Sequence, residues 1–230
     1  MKVLAIAPLA LVVLTAAVHA AQFVVLEARG ISLAKGTLID SSKPLMLKQG
    51  QHVTLISDSG VTLKIDGPNA KPPTVAGGHG VDLGTTLKGL MTSHQARLAE
   101  VGTTRGTAPL AKLPNPWLID SSHGGNACLL EGQAPVFWRP EDKRAISFAI
   151  MPADRTWRVQ TTWPAGVDRV ALSTPYVRGD QSYFISYNGN ETAITINTVP
   201  SALPNDKMRA AWMAAKGCEA QAEALARTGS

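Results

Sequence analysis

The sequence predicts a mainly β protein, and two patterns carry that prediction. Apolar residues alternate with polar ones along much of the chain, as in Val61, Leu63 and Ile65, which is the period of a strand with one buried face. Turn signals rich in Gly, Asn, Asp and Pro separate such runs, at intervals of about eight to ten residues. We therefore expect short strands joined by tight turns.

The first residues have the pattern of a secretory signal peptide. Met1-Lys2 gives a short basic start, residues 3–17 form an almost unbroken apolar run, and Val18-His19-Ala20 provides the small residues of a cleavage site. An uncleaved anchor is the alternative, but the run is shorter than the roughly twenty residues that a membrane span needs. We expect residues 1–20 to be removed and the mature protein to reside in the periplasm, with no membrane span after cleavage.

Residues 21–68 are predicted to form a small β meander of four to six strands. Residues 53–56 and 61–65 are two apolar runs joined by Asp58-Ser59-Gly60, a tight-turn signal because Gly tolerates positive φ. Lys48-Gln49-Gly50-Gln51 separates the apolar residues 45–47 from the run that begins at Val53 in the same way. Gly67-Pro68 ends the module.

The same module carries a Gly-spaced pattern, Leu33-Ala34-Lys35-Gly36, Leu47-Lys48-Gln49-Gly50 and Ile56-Ser57-Asp58-Ser59-Gly60, which resembles the periplasmic FecR-type domain over about forty-five residues. The best-known members of that family are membrane-anchored regulators that pass a signal across the inner membrane. Because this sequence has no predicted span or cytoplasmic segment after the signal, the resemblance does not imply direct anti-sigma activity. It implies a stand-alone relative that acts as the partner of a membrane sensor.

Residues 69–112 are predicted to be a linker with one helix, over residues 83–100. Prolines and a Gly pair exclude regular structure in residues 69–79. Apolar residues then recur at three- and four-residue steps, which places them on one helical face. These residues are Leu83, Leu87, Leu90, Met91, His94 and Leu98. The face is expected to pack on the β module or on a second protein.

Residues 113–200 are predicted to form an antiparallel β-sandwich of the immunoglobulin-like type, because six to eight short strands follow one another at about ten-residue spacing. The candidate strands are residues 117–120, 127–130, 136–139, 146–151, 156–162, 167–172, 183–187 and 193–199. Trp138, Trp157 and Trp163 fall in this region and are the candidate binding surface, as aromatic side chains that could line a carbohydrate groove. Packing in the core is the favoured alternative for them.

Residues 201–230 are predicted to contain a helix docked on the sandwich, capped by Asn205 or Asp206, with Gly217 as its weak point. Cys218 lies on the apolar side of this helix. An even number of cysteines in an exported chain indicates a disulfide, so we expect a bond between Cys128 and Cys218.

Composition and motifs argue against several functions. The formal charge of +5 comes from scattered residues, so no basic patch indicates nucleic-acid binding. No His has a partner at metal-binding spacing, and Gly77-Gly78-His79-Gly80 lacks the features of a phosphate loop. Asp120-Ser121-Ser122-His123 contains the residue types of a catalytic triad without the glycines of a nucleophile elbow. We predict no enzyme activity and no cofactor or metal.

Two functions remain as predictions. The first is a non-catalytic periplasmic protein-interaction or regulatory protein of the bacterial envelope, an accessory to signal sensing whose partner is a periplasmic or membrane-sensor protein. The alternative is a carbohydrate- or peptide-binding module that uses the tryptophan-rich sandwich.

Overall fold

The computed structural model describes residues 22–75, 87–89, 92, 112–172 and 176–228. Within them the chain forms twelve strands and two C-terminal helices. The elements are β1 (Gln22–Arg29), β2 (Leu38–Asp40), β3 (His52–Ser57), β4 (Thr62–Asp66), β5 (Leu118–Asp120), β6 (Gly125–Leu130), β7 (Val136–Trp138), β8 (Ile146–Pro152), β9 (Val159–Trp163), β10 (Arg169–Ala171), β11 (Gln181–Tyr187), β12 (Asn190–Val199), α1 (Asp206–Ala215) and α2 (Glu219–Thr228). The predicted signal peptide lies outside the described residues.

The N-terminal module is a four-stranded antiparallel sheet with the order β2-β1-β3-β4, which confirms a small N-terminal sheet. Its order departs from a simple meander, because β3 pairs with β1 rather than with β2. Strand β2 pairs with β1 over only three residue pairs, whereas β3 pairs over six, with a bulge between Val25 and Glu27. Alternation in the sequence gives the buried face of each strand but not its neighbour, so it could not predict this order.

Both faces of this sheet are buried at its centre. Phe23, Val25 and Leu55 point into a core that the sheet shares with its own loops. Val24 and Ile56, on the opposite face, belong to a second core that includes α1. Strands covered on both faces lose the strict apolar–polar alternation, which explains the consecutive apolar residues in β1 and at the end of β3. The N-terminal sheet is therefore anchored to the rest of the molecule through α1.

The C-terminal module contains all eight predicted strands, with ends that differ by up to three residues, in two sheets. The sheet orders are β10-β7-β5 and β6-β12-β11-β8-β9. Two pairs, β5 with β7 and β6 with β12, are parallel, where the sequence predicted an antiparallel sandwich. Parallel pairing is possible here because consecutive strands β5 and β6 belong to different sheets. The hydrophobic period indicates which face of a strand is buried but not whether it runs parallel or antiparallel to its neighbour. The sequence therefore could not predict the two parallel pairs.

Local signals at the end of the sandwich behave as the sequence predicts. Asn188 and Gly189 both have positive φ, 50° and 84°, and form the two-residue hairpin between β11 and β12. The hydroxyl of Tyr183 is buried and accepts a hydrogen bond from Arg178 N, five residues upstream, at 2.7 Å. This contact resembles the tyrosine corner of immunoglobulin-like sandwiches.

The predicted C-terminal helix is two helices, α1 and α2, broken at Gly217. Asn205 caps α1, and its side chain accepts a hydrogen bond from Met208 N at 2.9 Å. The helix ends in a Schellman motif, in which Cys218 N bonds to Met213 O and Gly217 N to Ala214 O. Because Gly217 has a φ of 77°, which only Gly adopts readily, the residue predicted as a weak point ends the helix.

The helices lie between the two modules. Met208 and Trp212 of α1 share a core with Val199 of β12 and with Ile56 of the N-terminal sheet. The C-terminal segment therefore packs on β12, and α1 also covers the N-terminal sheet. Of the predicted helix over residues 83–100, only residues 87–89 and 92 are described, and they are helical. The side chain of Leu87 is buried in the same core as α1.

Candidate functional site

The disulfide joins β6 to the residue before α2. Cys128 and Cys218 are bonded with a Cα–Cα distance of 5.8 Å and a sequence separation of 90 residues, as predicted. Both residues are buried. The bond fixes the helical pair to one edge of the five-stranded sheet.

Gln221, in the first turn of α2, covers the same edge. Its side chain is 3% exposed, and Oε1 accepts a hydrogen bond from Cys128 N at 2.6 Å. Nε2 donates to Cys128 O at 2.7 Å and to Pro116 O at 3.0 Å. The amide therefore replaces a neighbouring strand and satisfies the outward-facing backbone groups at the middle of β6. Nothing in the local sequence distinguishes this glutamine from a surface residue.

The three candidate tryptophans do not form one surface. Trp163 is 0% exposed and lies edge-on to Phe148, with ring centroids 5.3 Å apart. Trp138 is 8% exposed and packs with Ala224 of α2. Both positions fit the core-packing alternative. Trp157 is half-buried, and its ring lies 5.4 Å from that of Tyr176, which is 52% exposed.

Asp120, Ser122 and His123 are brought into contact, but their geometry is that of a closed turn. Asp120 Oδ1 accepts hydrogen bonds from Ser122 N at 2.8 Å and from Ser122 Oγ at 2.6 Å. His123 Nδ1 lies 2.9 Å from Ser122 Oγ and 2.8 Å from Asp120 Oδ2. In a catalytic triad the base uses one ring nitrogen for the nucleophile and the other for the carboxylate. Here both partners meet the same nitrogen, and Ser122 bonds directly to the carboxylate.

Other groupings of polar residues are sparse in the part of the chain that the structure describes. There, no three His, Cys, Asp or Glu residues converge as a metal site would require. A shallow, open depression lies at the start of α1. Its lining residues are Asp58, Ser59, Asn205, Asp206 and Lys207.

One lysine is perturbed at the junction between the modules. Lys216, at the end of α1, lies over the ring of Trp212 at 5.3 Å. Burial lowers the pKa of its ammonium group, and the charge of Lys35 lowers this pKa further. The carboxylates of Asp180 and Glu27 act in the opposite direction.

Among the described strands, the ends of the three sheets differ in how they are protected from pairing with another chain. An open strand edge is a template for a further strand, and proteins protect such edges by shortness, charge or a covering element. Strands β2, β5 and β10 have three residues each. Strand β4 carries Lys64 and Asp66, and β6 is closed by Gln221. Strand β9, the last strand of the five-stranded sheet, has none of these protections.

Strand β9 is open over its three central residues. Gln160, Thr161 and Thr162 are all exposed, and the strand contains no charged residue and no proline. The pairing of the neighbouring strand β8 shows which backbone groups of β9 point outward. Asn188 N donates to Ser147 O at 3.0 Å, so Ser147 faces β11.

This orientation shows which backbone groups of β9 point away from β8. Because Ser147 faces β11 and lies opposite Thr162, these two residues form a non-hydrogen-bonded pair, and the N–H and C=O of Thr162 point away from β8. The same groups of Gln160, two residues earlier, point outward as well. Those of Thr161 point towards β8. The edge therefore presents two N–H and two C=O groups in the spacing of a β-ladder, and the carbonyl of Thr162 also accepts a long hydrogen bond from Thr161 Oγ1 at 3.4 Å.

Arg139 holds the turn that follows β9. The guanidinium group of Arg139 is buried and donates to the carbonyls of Pro164 at 2.6 Å and Val167 at 3.0 Å. It also donates to the carbonyls of Asp142 and Arg144, and its charge lies 5.2 Å from the ring of Trp163. These contacts fix the turn after β9.

Over the described residues, the chain is a β protein of two modules joined by a helical pair, and β9 is the sheet edge that these residues leave open. No family model and no curated protein matches the chain. Within the described residues, no helix has the length and hydrophobicity that crossing a membrane demands.

Proposed function

We propose that the chain is a non-catalytic, exported protein-interaction protein of the bacterial envelope, an accessory to signal sensing that binds partners along β9. The observation that carries this proposal is the uncharged, exposed edge formed by Gln160, Thr161 and Thr162. Addition of a partner strand to such an edge uses main-chain hydrogen bonds for affinity and side chains for specificity.

Export to the periplasm is part of this proposal. The bond between Cys128 and Cys218 supports it, because disulfides persist mainly in oxidising compartments. The signal-peptide pattern of residues 1–20 and the FecR-like spacing of residues 21–68 support the same location and a role beside a membrane sensor. N-terminal sequencing of the protein from the periplasm is expected to begin at Ala21.

The test is affinity purification from envelope extract with a variant that changes only the edge. Thr162→Pro removes an N–H that points outward, so it leaves the β8–β9 ladder intact while a partner strand loses a hydrogen bond. Lys143→Ala, in an exposed loop, is the matched control. We expect a specific partner to be recovered with the wild type and the control and lost with Thr162→Pro. Equal recovery with all three, or recovery with none, contradicts the proposal.

A second candidate function rests on the pair formed by Trp157 and Tyr176. A half-buried indole beside an exposed phenol ring is a surface on which a sugar ring or an aromatic peptide side chain could stack. Binding should quench or shift tryptophan fluorescence, and Tyr176→Ala should weaken it several-fold. A panel of oligosaccharides and peptides that leaves the fluorescence unchanged would eliminate this candidate.

A further inference from the structure

The edge of β9 is self-complementary. Its sequence is Val159-Gln160-Thr161-Thr162-Trp163, with Thr161 at the centre. When two copies of this strand run antiparallel around a two-fold axis through Thr161, Gln160 lies opposite Thr162 of the second copy, and Val159 lies opposite Trp163. The symmetry keeps the outer face of each sheet on the same side, since residues that face each other across an antiparallel pair share a face.

Hydrogen bonding fits this register. Gln160 and Thr162 carry the outward-facing backbone groups of β9, and they are the residues that the symmetry places opposite each other. Each Gln160–Thr162 pair would exchange two N–H···O=C bonds, and the two-fold axis provides two such pairs. Thr161 would face its own copy in a non-hydrogen-bonded pair, where Cα atoms approach to about 4.5 Å.

The side chains also favour this pairing. Threonine opposite threonine is a favourable cross-strand pair, whereas like charges opposite each other are unfavourable. In this register Arg158 lies opposite Pro164, so the symmetry brings no two like charges face to face. The dimer would join two five-stranded sheets into one continuous sheet with a closed, isologous contact.

We propose that a second copy of this chain occupies β9, in an antiparallel contact centred on Thr161. This inference rests on the proposed function, because it names the partner of the same edge. A heterologous envelope protein is the competing occupant, and the experiments below separate the two.

The first experiment measures the mass of the purified protein by light scattering as its concentration is raised. We expect the wild type to reach twice the chain mass, and Thr161→Lys and Thr161→Glu each to remain at the single-chain mass, because like charges then lie opposite each other. Thr161 is exposed, so both variants should retain the wild-type circular dichroism spectrum. An equimolar mixture of the two variants should regain the double mass, which a heterologous partner site would not produce.

The second experiment uses cysteine pairs. In Thr161→Cys the two introduced thiols meet across the axis, within the Cα distance that a disulfide requires. We expect rapid formation of a covalent dimer under mild oxidation. Gln160→Cys is the matched control, since it is equally exposed but lies opposite Thr162 rather than itself, and it should cross-link far more slowly.

The outcomes separate the two proposals. A wild type of single-chain mass with no selective Thr161→Cys dimer overturns self-pairing. If self-pairing is overturned but the wild type recovers an envelope protein that the Thr162→Pro variant does not, the edge binds another protein and the proposed function stands. If the Thr162→Pro variant recovers the same proteins as the wild type, both proposals fail.

Discussion

Replacing Gln221 with leucine tests whether the closure of β6 stabilises the fold. The substitution removes three hydrogen bonds and leaves Cys128 N–H, Cys128 O and Pro116 O buried without this partner. A buried polar group left unsatisfied costs about 1–3 kcal/mol. Allowing for partial hydration, we expect the free energy of unfolding to fall by roughly 3–6 kcal/mol, a large part of the total of a typical domain.

The measurement is urea unfolding of the oxidised protein, followed by tryptophan fluorescence. Gln133→Leu is the matched control, because Gln133 is exposed and surface substitutions usually change stability by less than about 0.5 kcal/mol. If Gln221→Leu lowers the free energy of unfolding by no more than the control does, the amide does not protect the edge of β6. The contrast between a closed β6 edge and an open β9 edge then loses its basis.

Three further predictions concern other buried contacts. Thiol titration of the denatured, non-reduced protein should find no free thiol, and two reactive thiols would refute the bond. Replacing both Cys128 and Cys218 with alanine should lower the free energy of unfolding by up to about 4–5 kcal/mol. Arg139→Lys should destabilise by about 1.5–3 kcal/mol, because an ammonium group has three donors for four carbonyls; an unchanged urea midpoint would contradict this. The pKa of Lys216 is lowered in the folded state, so the unfolded chain binds more protons between the folded pKa and the unfolded value of about 10.4. The stability of the wild type relative to Lys216→Met should therefore rise with pH across that range and be lost as pH falls. A constant difference in melting temperature between the two proteins would argue against the shift.

Much of the fold could be predicted from the sequence, because the signals are local. Alternation located all eight strands of the sandwich, and Asn188-Gly189 gave the hairpin between the last two. Most of the apolar side predicted for the C-terminal segment is buried, including Met208, Trp212 and Cys218, whereas Ala215 is half-buried. The break at Gly217 was missed because a single glycine is compatible with a weakened helix and with a helix end, and only the chain that follows decides between them.

The candidate site was largely beyond the sequence. Whether β9 ends a sheet depends on which strands pair, and the period of a strand carries no information about its neighbours. The buried roles of Arg139 and Gln221 depend on backbone carbonyls that are distant in the chain, such as Pro164 and Pro116. Polar side chains of these types are usually exposed, so nothing local could mark them. Core packing was the favoured prediction for the tryptophans, and Trp138 and Trp163 are buried, but the contact of Trp138 with Ala224 of α2 depends on how the distant C-terminal helix packs.

Cross-linking in living cells tests the central claim most directly. A photoreactive amino acid at Thr161 lies at the centre of the open edge, and the same residue at exposed Gln133 serves as the control. If β9 binds a protein strand in the envelope, position 161 should give a discrete adduct, and a mass equal to two chains would identify a second copy as the occupant. Equal labelling from both positions would indicate non-specific capture, and no adduct at 161 would indicate an unoccupied edge; either result would contradict the account.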